Sequence, residues 1–201
     1  MANIGPIPAV ILAAGMSRRL GRPKQLLEVG GKPLIWHVAT RALASTCDGV
    51  FAVVGYQPDA MRAALSDLPV DIVHNPDFAD GMSTSLRAGV AALPADADAF
   101  VVLLADQPEV DPASISAVIT ARRSTGAPVV RTRYGEQPSS PTLFGRETFA
   151  ELLMLRGDVG GRSVVRAHRA HLVEVPAAAV APPEDVDTEE AYRALLGRWR
   201  G

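Results

Sequence analysis

Five runs of aliphatic residues, each about the length of one strand, recur along the chain at 9–14, 50–54, 70–73, 99–104 and 128–131. They are continuous rather than alternating, which suits strands covered on both faces. Amphipathic stretches at 33–44, 58–65, 82–93 and 112–123 separate them. Strand and helix in this rhythm predict an α/β fold, a three-layer sandwich around a mostly parallel, Rossmann-like sheet. Pro33, Pro58 and Pro112 each suit a first helical turn, and Asp111 suits an N-cap. Only 5% of the 201 residues are aromatic, so the core has to be built from Ala, Val, Leu and Ile. A chain of this size can bury enough of them for one self-sufficient domain, expected to span residues 1–201.

The rhythm changes after Thr132. Residues 134–141 are turn-rich, and a short apolar piece follows at 142–144. Helices are expected at 147–155 and 161–170, and an alternating strand at 172–175. Pro182-Pro183 breaks the chain before a last helix at 189–196. Composition excludes several function classes. The net charge is -2, without the basic excess expected of a nucleic-acid-binding domain. The one cysteine, Cys47, can form neither an internal disulfide nor a Cys-rich zinc site, and is read as a half-buried structural residue. No run approaches the roughly 18 apolar residues of a membrane span. No basic segment precedes the first apolar run, so no signal peptide is read and a cytoplasmic setting is expected.

Most of the chemical information lies in 12–27, Leu12-Ala13-Ala14-Gly15-Met16-Ser17-Arg18-Arg19-Leu20-Gly21-Arg22-Pro23-Lys24-Gln25-Leu26-Leu27. A buried strand ends at Ala14, and a loop with two glycines, a serine and four cations follows. Ligands of open α/β sheets sit beyond the carboxyl ends of the strands. Glycines admit phosphate oxygens close to backbone N–H groups, and Arg18, Arg19, Arg22 and Lys24 can offset a triphosphate's charge. The loop therefore reads as a phosphate cradle, against the plainer alternative of a basic surface turn. It is not a Walker A loop: five residues separate Gly15 from Gly21, and Arg22 follows. Nor does it carry G-x-G-x-x-G, and Pro23 interrupts any early helix.

This string resembles the signature of the nucleotidyltransferases that make molybdenum-cofactor dinucleotides and of their MobA-like relatives. Four further stretches match that family in order. They are His74-Asn75-Pro76-Asp77 with 81–89, 103–108, 155–162, and Asp185-Val186-Asp187-Thr188. Within the family the chain is most similar to the cytidylyltransferase branch. The resemblance implies a fold of the nucleotide-diphospho-sugar transferase type. It implies transfer of CMP from CTP to the phosphate of molybdopterin, with Mg²⁺ as cofactor and a molybdoenzyme or its chaperone as a downstream partner. It implies nucleotide contacts at Leu12, Ala13, Ala14, Gly15, Ser17, Arg18, Arg19, Lys24, Asn75, Ser83 and Ser85. Lys24, Arg18 and Asp106 are the implied catalytic set, and Asp106 and Asp187 the metal ligands. Ala14 leans towards the cytidylyl branch, since guanylyl relatives usually carry Gly there.

Each station has a plainer alternative. Asp106, at a strand's carboxyl end, suits Mg²⁺ or a turn cap before Pro108. Asp185 and Asp187 suit two carboxylates on one face of an extended segment, or an N-cap for the last helix. Residues 81–85 suit ligand binding at a helix start, or capping by Ser83. Residues 157–162 present Asp158 and Arg162 to the acceptor, or form a capped turn. Related cytidylyltransferases often carry Gly-His-Pro where this chain has Ser139-Ser140-Pro141, which leaves Ser140 as an acceptor-side candidate and the acceptor's identity open. His37 reads as structural, and His168 and His171 as too divided by a helix end to share a metal; His74 lies near the nucleotide only by resemblance. A sister transferase using GTP or another phosphorylated acceptor, an NAD(P)-linked reductase and a non-catalytic cofactor chaperone are the competing readings.

Overall fold

The computed structural model describes residues 4–17, 19–179 and 181–199. A seven-stranded sheet forms its centre, built from β1 (Ala9–Leu12), β4 (Val50–Val54), β5 (Asp71–His74), β6 (Ala99–Leu104), β7 (Val129–Tyr134), β8 (Gln137–Gly145) and β9 (Leu172–Pro176). The order is β5-β4-β1-β6-β8-β7-β9. Only β8 runs against its neighbours β6 and β7. The expected three-layer, mostly parallel architecture is therefore present.

The aliphatic runs are continuous because both faces of the sheet are covered. Ala9 and Ile11 of β1 point into one core with Ile35, Val38, Met61, Ile115 and Ile119. These come from α1 (Leu34–Leu43), α2 (Pro58–Ala64) and α4 (Pro112–Thr125). Val10, between them, points the other way, into a core with Val53, Phe100, Val90, Leu152 and Val164. The last three belong to α3 (Met82–Ala92), α5 (Phe149–Met154) and α6 (Arg162–Ala167). Alternate residues of one strand thus face opposite layers. Helix α3 lies very close to the sheet at Gly89, where a Cβ would stand 2.7 Å from Val10 Cγ1.

Several local expectations need correction. Asp111 caps α4, its Oδ1 accepting from the Ala113 N–H at 3.0 Å. Pro58 and Pro112 open their helices, but Pro33 is the N-cap of α1 and ends a short strand. Residues 137–141, read as turn, form the first half of β8. Alternation is hidden there by Pro138 and Pro141, and pairing with β7 shifts register at Arg131/Thr132. Helices expected at 147–155 and 161–170 are shorter, being flanked by 3-10 turns at Arg146–Thr148 and Arg169–His171. Among the described residues no helix is long and apolar enough to cross a membrane.

A small hairpin of β2 (Glu28–Val29) and β3 (Lys32–Pro33), unforeseen from the sequence, receives the last helix, α7 (Glu189–Arg198). Leu27, Val29, Leu34, Val186 and Leu195 form their shared core. His37 backs this joint. Its ring lies between Trp36 and Trp199, at centroid distances of 5.3 and 4.6 Å, and Nε2 hydrogen-bonds the Val29 carbonyl at 2.8 Å. Burial holds the His37 pKa below the usual histidine value, against the pull of its backbone carbonyl partners.

The unfolded chain therefore binds a proton at His37 more readily than the folded one. Its contribution to stability is present above the unfolded pKa, about 6.5, and is lost as pH falls through the lower folded value. Thermal unfolding followed by tryptophan fluorescence should show a midpoint falling as pH drops below about 6.5. The His37→Gln variant should lose part of that acid-side slope; an unchanged slope would show that His37 does not carry it.

Candidate active site

The strand order reverses at β1. Strands β4 and β5 continue on one side, while the next strand in sequence, β6, returns to the other. Leu12 and Leu104 are in register, so the segments leaving β1 and β6 start side by side and diverge. Such a switch point opens a crevice at the carboxyl ends of the strands. Here it is a cleft of about 540 Å³. Leu12 lines it from the end of β1, and Ala14, Gly15, Met16 and Lys24 from the loop that follows, with Gln25 beside them. Leu104, Ala105 and Asp106 line it from β6 and beyond, and Gly81, Met82, Ser85 and Asp158 from the α3 side.

The loop after β1 holds its own shape. Ser17 has a left-handed backbone, φ 53, and its carbonyl accepts the N–H groups of Leu20 and Gly21 at 3.0 and 3.2 Å. The Ser17 hydroxyl accepts the Lys24 N–H at 3.0 Å. Gln25, 2% exposed, donates from Nε2 to the Gly15 carbonyl at 2.9 Å, and its Oε1 accepts from the Ser17 hydroxyl at 3.4 Å. The two limbs are thus clasped together, leaving Gly15 exposed to the cleft. Gln25 went unremarked in the sequence; its signal is a polar residue at the start of a buried stretch. Ala13 is core, its N–H donating to Val53. Arg19 is exposed on the loop outside the cleft lining, and Arg22 pairs with Glu189 at 3.1 Å. Arg18 lies outside the described residues.

Lys24 is the centre of the charge arrangement. Its Nζ bonds Asp106 and, at 2.5 Å, Asp187. Burial alone would lower the lysine pKa, but the two carboxylates outweigh it and hold the ammonium above its usual value. Burial pushes the Asp106 carboxyl up, Lys24 opposes the shift, and the nearby charge of Asp185 adds to it. The turn-cap reading of Asp106 gives way: its side chain faces Lys24. Two carboxylates far apart in sequence already share one cation, so the donor set fits a second kind of cation at the same place. Among the described residues no three His, Cys, Asp or Glu side chains gather into a metal cluster. A pair of carboxylates is still a donor set that a hard divalent ion accepts, its other positions going to phosphate oxygens and water.

The two aspartates of the Asp-x-Asp stretch part company. Asp185 Oδ1 accepts from Gln107 Nε2 at 2.7 Å, while Asp187 meets Lys24. The Asp187 N–H turns back to the Asp185 carbonyl at 3.1 Å, so the segment is not extended there and the shared-face expectation is overturned. The cap of α7 is Thr188, whose hydroxyl accepts from the Ala191 N–H at 3.1 Å; Asp187, itself outside the cleft lining, pairs with the cleft residue Lys24.

The start of α3 is capped from a distant loop. The Met82 N–H donates to Asp158 Oδ1 at 3.2 Å, and the Ser83 N–H to the Gly157 carbonyl at 3.3 Å. This approach requires Gly81: its φ is +108, and a Cβ would sit 2.5 Å from the Gly157 backbone. Ser83 therefore does not cap; its hydroxyl is buried with no partner among the described residues. Asn75 is buried behind the cleft, donating to Thr84 Oγ1 and Ser85 Oγ at 2.8 and 3.1 Å and accepting from the Asp77 N–H. It braces the helix start, and Ser85 reaches the lining. Of the acceptor-side candidates, Asp158 lines the cleft, whereas Arg162 is exposed and Ser140 sits in β8, both outside it. His74, at the end of β5, is also outside the lining. Helix α6 ends at Ala167, before both His168 and His171 rather than between them, and His168 pairs with Glu151 at 2.7 Å.

The family model described as a MobA-like NTP transferase domain matches residues 9–172. Nicotine blue oxidoreductase of Paenarthrobacter nicotinovorans is 32% identical over 94% of this chain and 96% of its own length. The bifunctional protein GlmU of Sorangium cellulosum is 31% identical over 82% of this chain, which spans about a third of that relative, 34% of its length. The crystal structure of Rv0371c from Mycobacterium tuberculosis H37Rv matches with a TM-score of 0.86 at 32% identity, covering 97% of this chain and 100% of that one. Its complex with manganese matches with a TM-score of 0.80 at 31% identity, covering 96% and 100%. With the sheet order, the clasped loop and the Lys24–Asp106 pair at the switch point, these matches show that the chain belongs to the MobA-like NTP transferase family of nucleotidyltransferases.

Proposed function

We propose that this nucleotidyltransferase moves CMP from CTP to the phosphate of a molybdopterin-type acceptor, working as one domain over residues 1–201 in the cytoplasm. The observation that carries the reading is Lys24 held between Asp106 and Asp187 in the cleft. An acceptor phosphate oxygen forms a bond to the α-phosphorus of CTP, the bond to the β-phosphate oxygen breaks, and pyrophosphate leaves with that electron pair. The acceptor phosphate is already ionised near neutral pH, so the step needs no general base. Catalysis is positioning and charge stabilisation. Gly15 and Met16 offer backbone to the triphosphate, Lys24 offsets charge at the reacting phosphate, and Arg19 meets the outer phosphates. Arg18 joins them on the sequence alone. Mg²⁺, held by Asp106 and Asp187, supplies charge against the phosphate oxygens when bound. The manganese complex of a structural relative supports a divalent ion. Ala14 in the cleft lining supports the pyrimidine nucleotide over GTP.

A second reading is favoured by one observation, the relative named an oxidoreductase that matches nearly end to end. It makes the chain a reductase that takes NADH or NADPH in the same cleft. Ligand-dependent unfolding separates the two. At 100 times its dissociation constant a ligand adds about 2.7 kcal/mol, which for a chain of this size raises the midpoint by roughly 5–10 °C. We expect that shift with CTP plus Mg²⁺ and little with GTP, ATP, UTP, NADH or NADPH. A shift confined to the nicotinamide cofactors rejects the transferase reading; one confined to GTP keeps the reaction and changes its product.

Replacing Lys24 with Ala should lower kcat/KM for pyrophosphate release by about a hundredfold or more, on the order of 3 kcal/mol in barrier, with the fold retained by circular dichroism. Undiminished turnover removes Lys24 from the reaction. Asp106→Asn should abolish the dependence of turnover on Mg²⁺ concentration while nucleotide binding persists; an unaltered dependence takes the metal away from Asp106.

A further inference from the structure

Asp185 and Asp187 are both acidic and are separated only by Val186, yet they go to different partners. What separates them is Gln107, the residue after Asp106. Gln107 is 5% exposed and donates from Nε2 to Asp185 Oδ1 at 2.7 Å. Between the two aspartates, Val186 donates its N–H to the Asp106 carbonyl at 3.0 Å. Its side chain is 1% exposed, buried with Leu27, Leu34 and Leu195. Gln107 Oε1 is buried and has no partner among the described residues. A buried amide oxygen left unpaired is costly, so packing alone would favour an apolar residue here. The directed contact that the amide makes is the one to Asp185.

From this geometry we infer that Gln107 is a positioning residue for the cation site: by pinning Asp185 through a neutral donor, it fixes the turn at 185–187 that presents Asp187 to Lys24 and Asp106. The inference rests on the reading of Asp106 and Asp187 as the pair that holds the metal. Neutrality of the donor matters. Freed from Gln107, Asp185 would compete with Asp187 for one ammonium and crowd a third carboxylate towards the pair. A basic residue at 107 would hold Asp185 equally well but would add a fixed positive charge beside the ion's place.

The test uses the full chain and Mn²⁺ as probe, with Mn²⁺ affinity read by electron paramagnetic resonance. Hydrogen exchange of the Val186 amide gives a second readout that needs no metal. Gln107→Ala and the apolar near-isostere Gln107→Leu should each weaken Mn²⁺ binding about 10- to 100-fold, the range seen when partners that orient metal ligands are removed. Asp185→Ala should do the same, and the Gln107→Ala, Asp185→Ala double variant should be no weaker than either single change. Asp185→Asn keeps an acceptor for Gln107 and should stay within about threefold of the parent, whereas Asp187→Asn should not. Val186 exchange should quicken in Gln107→Ala and Gln107→Leu and stay at the parent rate in Asp185→Asn. A site that Asp106→Asn and Asp187→Asn weaken but Gln107→Ala and Gln107→Leu leave intact overturns the role of Gln107 alone. Equal losses from Asp185→Asn and Asp187→Asn overturn it too, by making Asp185 a ligand. Mn²⁺ binding indifferent to both Asp106→Asn and Asp187→Asn rejects the metal reading itself, and the positioning role falls with it.

Discussion

The ion triad of Lys24, Asp106 and Asp187 is the contact on which the site depends. It joins the loop after β1, the end of β6 and the segment before α7, three stretches otherwise distant in sequence. Lys24 and Asp106 are nearly buried, with side chains 19% and 10% exposed, whereas Asp187 is 45% exposed. The Lys24–Asp106 pair is therefore the stronger and less screened half, and the Asp187 contact the half more easily given up. With both carboxylates ionised the triad carries one net negative charge. That balance favours a cation at the site and opposes a bare triphosphate. A nucleotide approaching with its own metal brings the missing charge and a competing partner for Lys24 together.

The rest of the fold makes this triad hard to avoid. Leu12 and Leu104 pair in the sheet, so whatever follows them begins about one strand spacing apart, ~4.8 Å. Gly89 lets α3 settle onto β1, which brings the start of that helix to the mouth of the same crevice. Gly81 admits the 157–158 backbone, and Asp158 then caps the helix from a loop more than seventy residues on, at |i−j| of 76. Polar groups around the cleft are largely committed to one another: Ser17 to Lys24 and Gln25, Asn75 to Thr84 and Ser85. A site whose donors are fixed before the ligand arrives needs little reorganisation during transfer, which is how charge stabilisation contributes most to a rate.

Features set by local chemistry were legible in the sequence. Strands buried on both faces declare themselves as unbroken aliphatic runs, and Asp111 before Pro112 declares a helix start. The loop of glycines and cations marked the cleft, and the resemblance of the stretches 103–108 and 185–188 pointed to Asp106 and Asp187. What escaped was decided by contacts between distant residues. Asn75 and Ser83 occupy the motif yet face inward, because α3 is capped by Asp158 and braced by Asn75 rather than by its own serine. Residues 137–141 look like a turn since two prolines mask the strand, and only pairing with β7 reveals it. Ser140 and Arg162 belong to segments that the sequence alone could not place beside the cleft or away from it. Asp185 and Asp187 are chemically identical in one dimension; the distinction between them is made by Gln107 and by a turn that no periodicity announces.

This last distinction bears on where the functional unit ends. The family match stops at residue 172, where β9 begins, yet Asp187 lies beyond it. The segment that carries Asp187 is held at three points of different character. Val186 is buried in the core shared with α7, its N–H is bonded to Asp106, and Asp185 is bonded to Gln107. Arg22, from the loop after β1, reaches α7 at Glu189 and lies over the Tyr192 ring at 5.7 Å. The loop after β1 and the terminal helix are thus joined by side chains as well as by the core they share. The anchored residues beside it, rather than the ion pair, set the position of this carboxylate: Val186 is almost fully buried and Asp185 is held by Gln107, whereas Asp187 is half in solvent. An exposed carboxylate beside a buried neighbour can exchange the partner it pairs with without the segment unfolding.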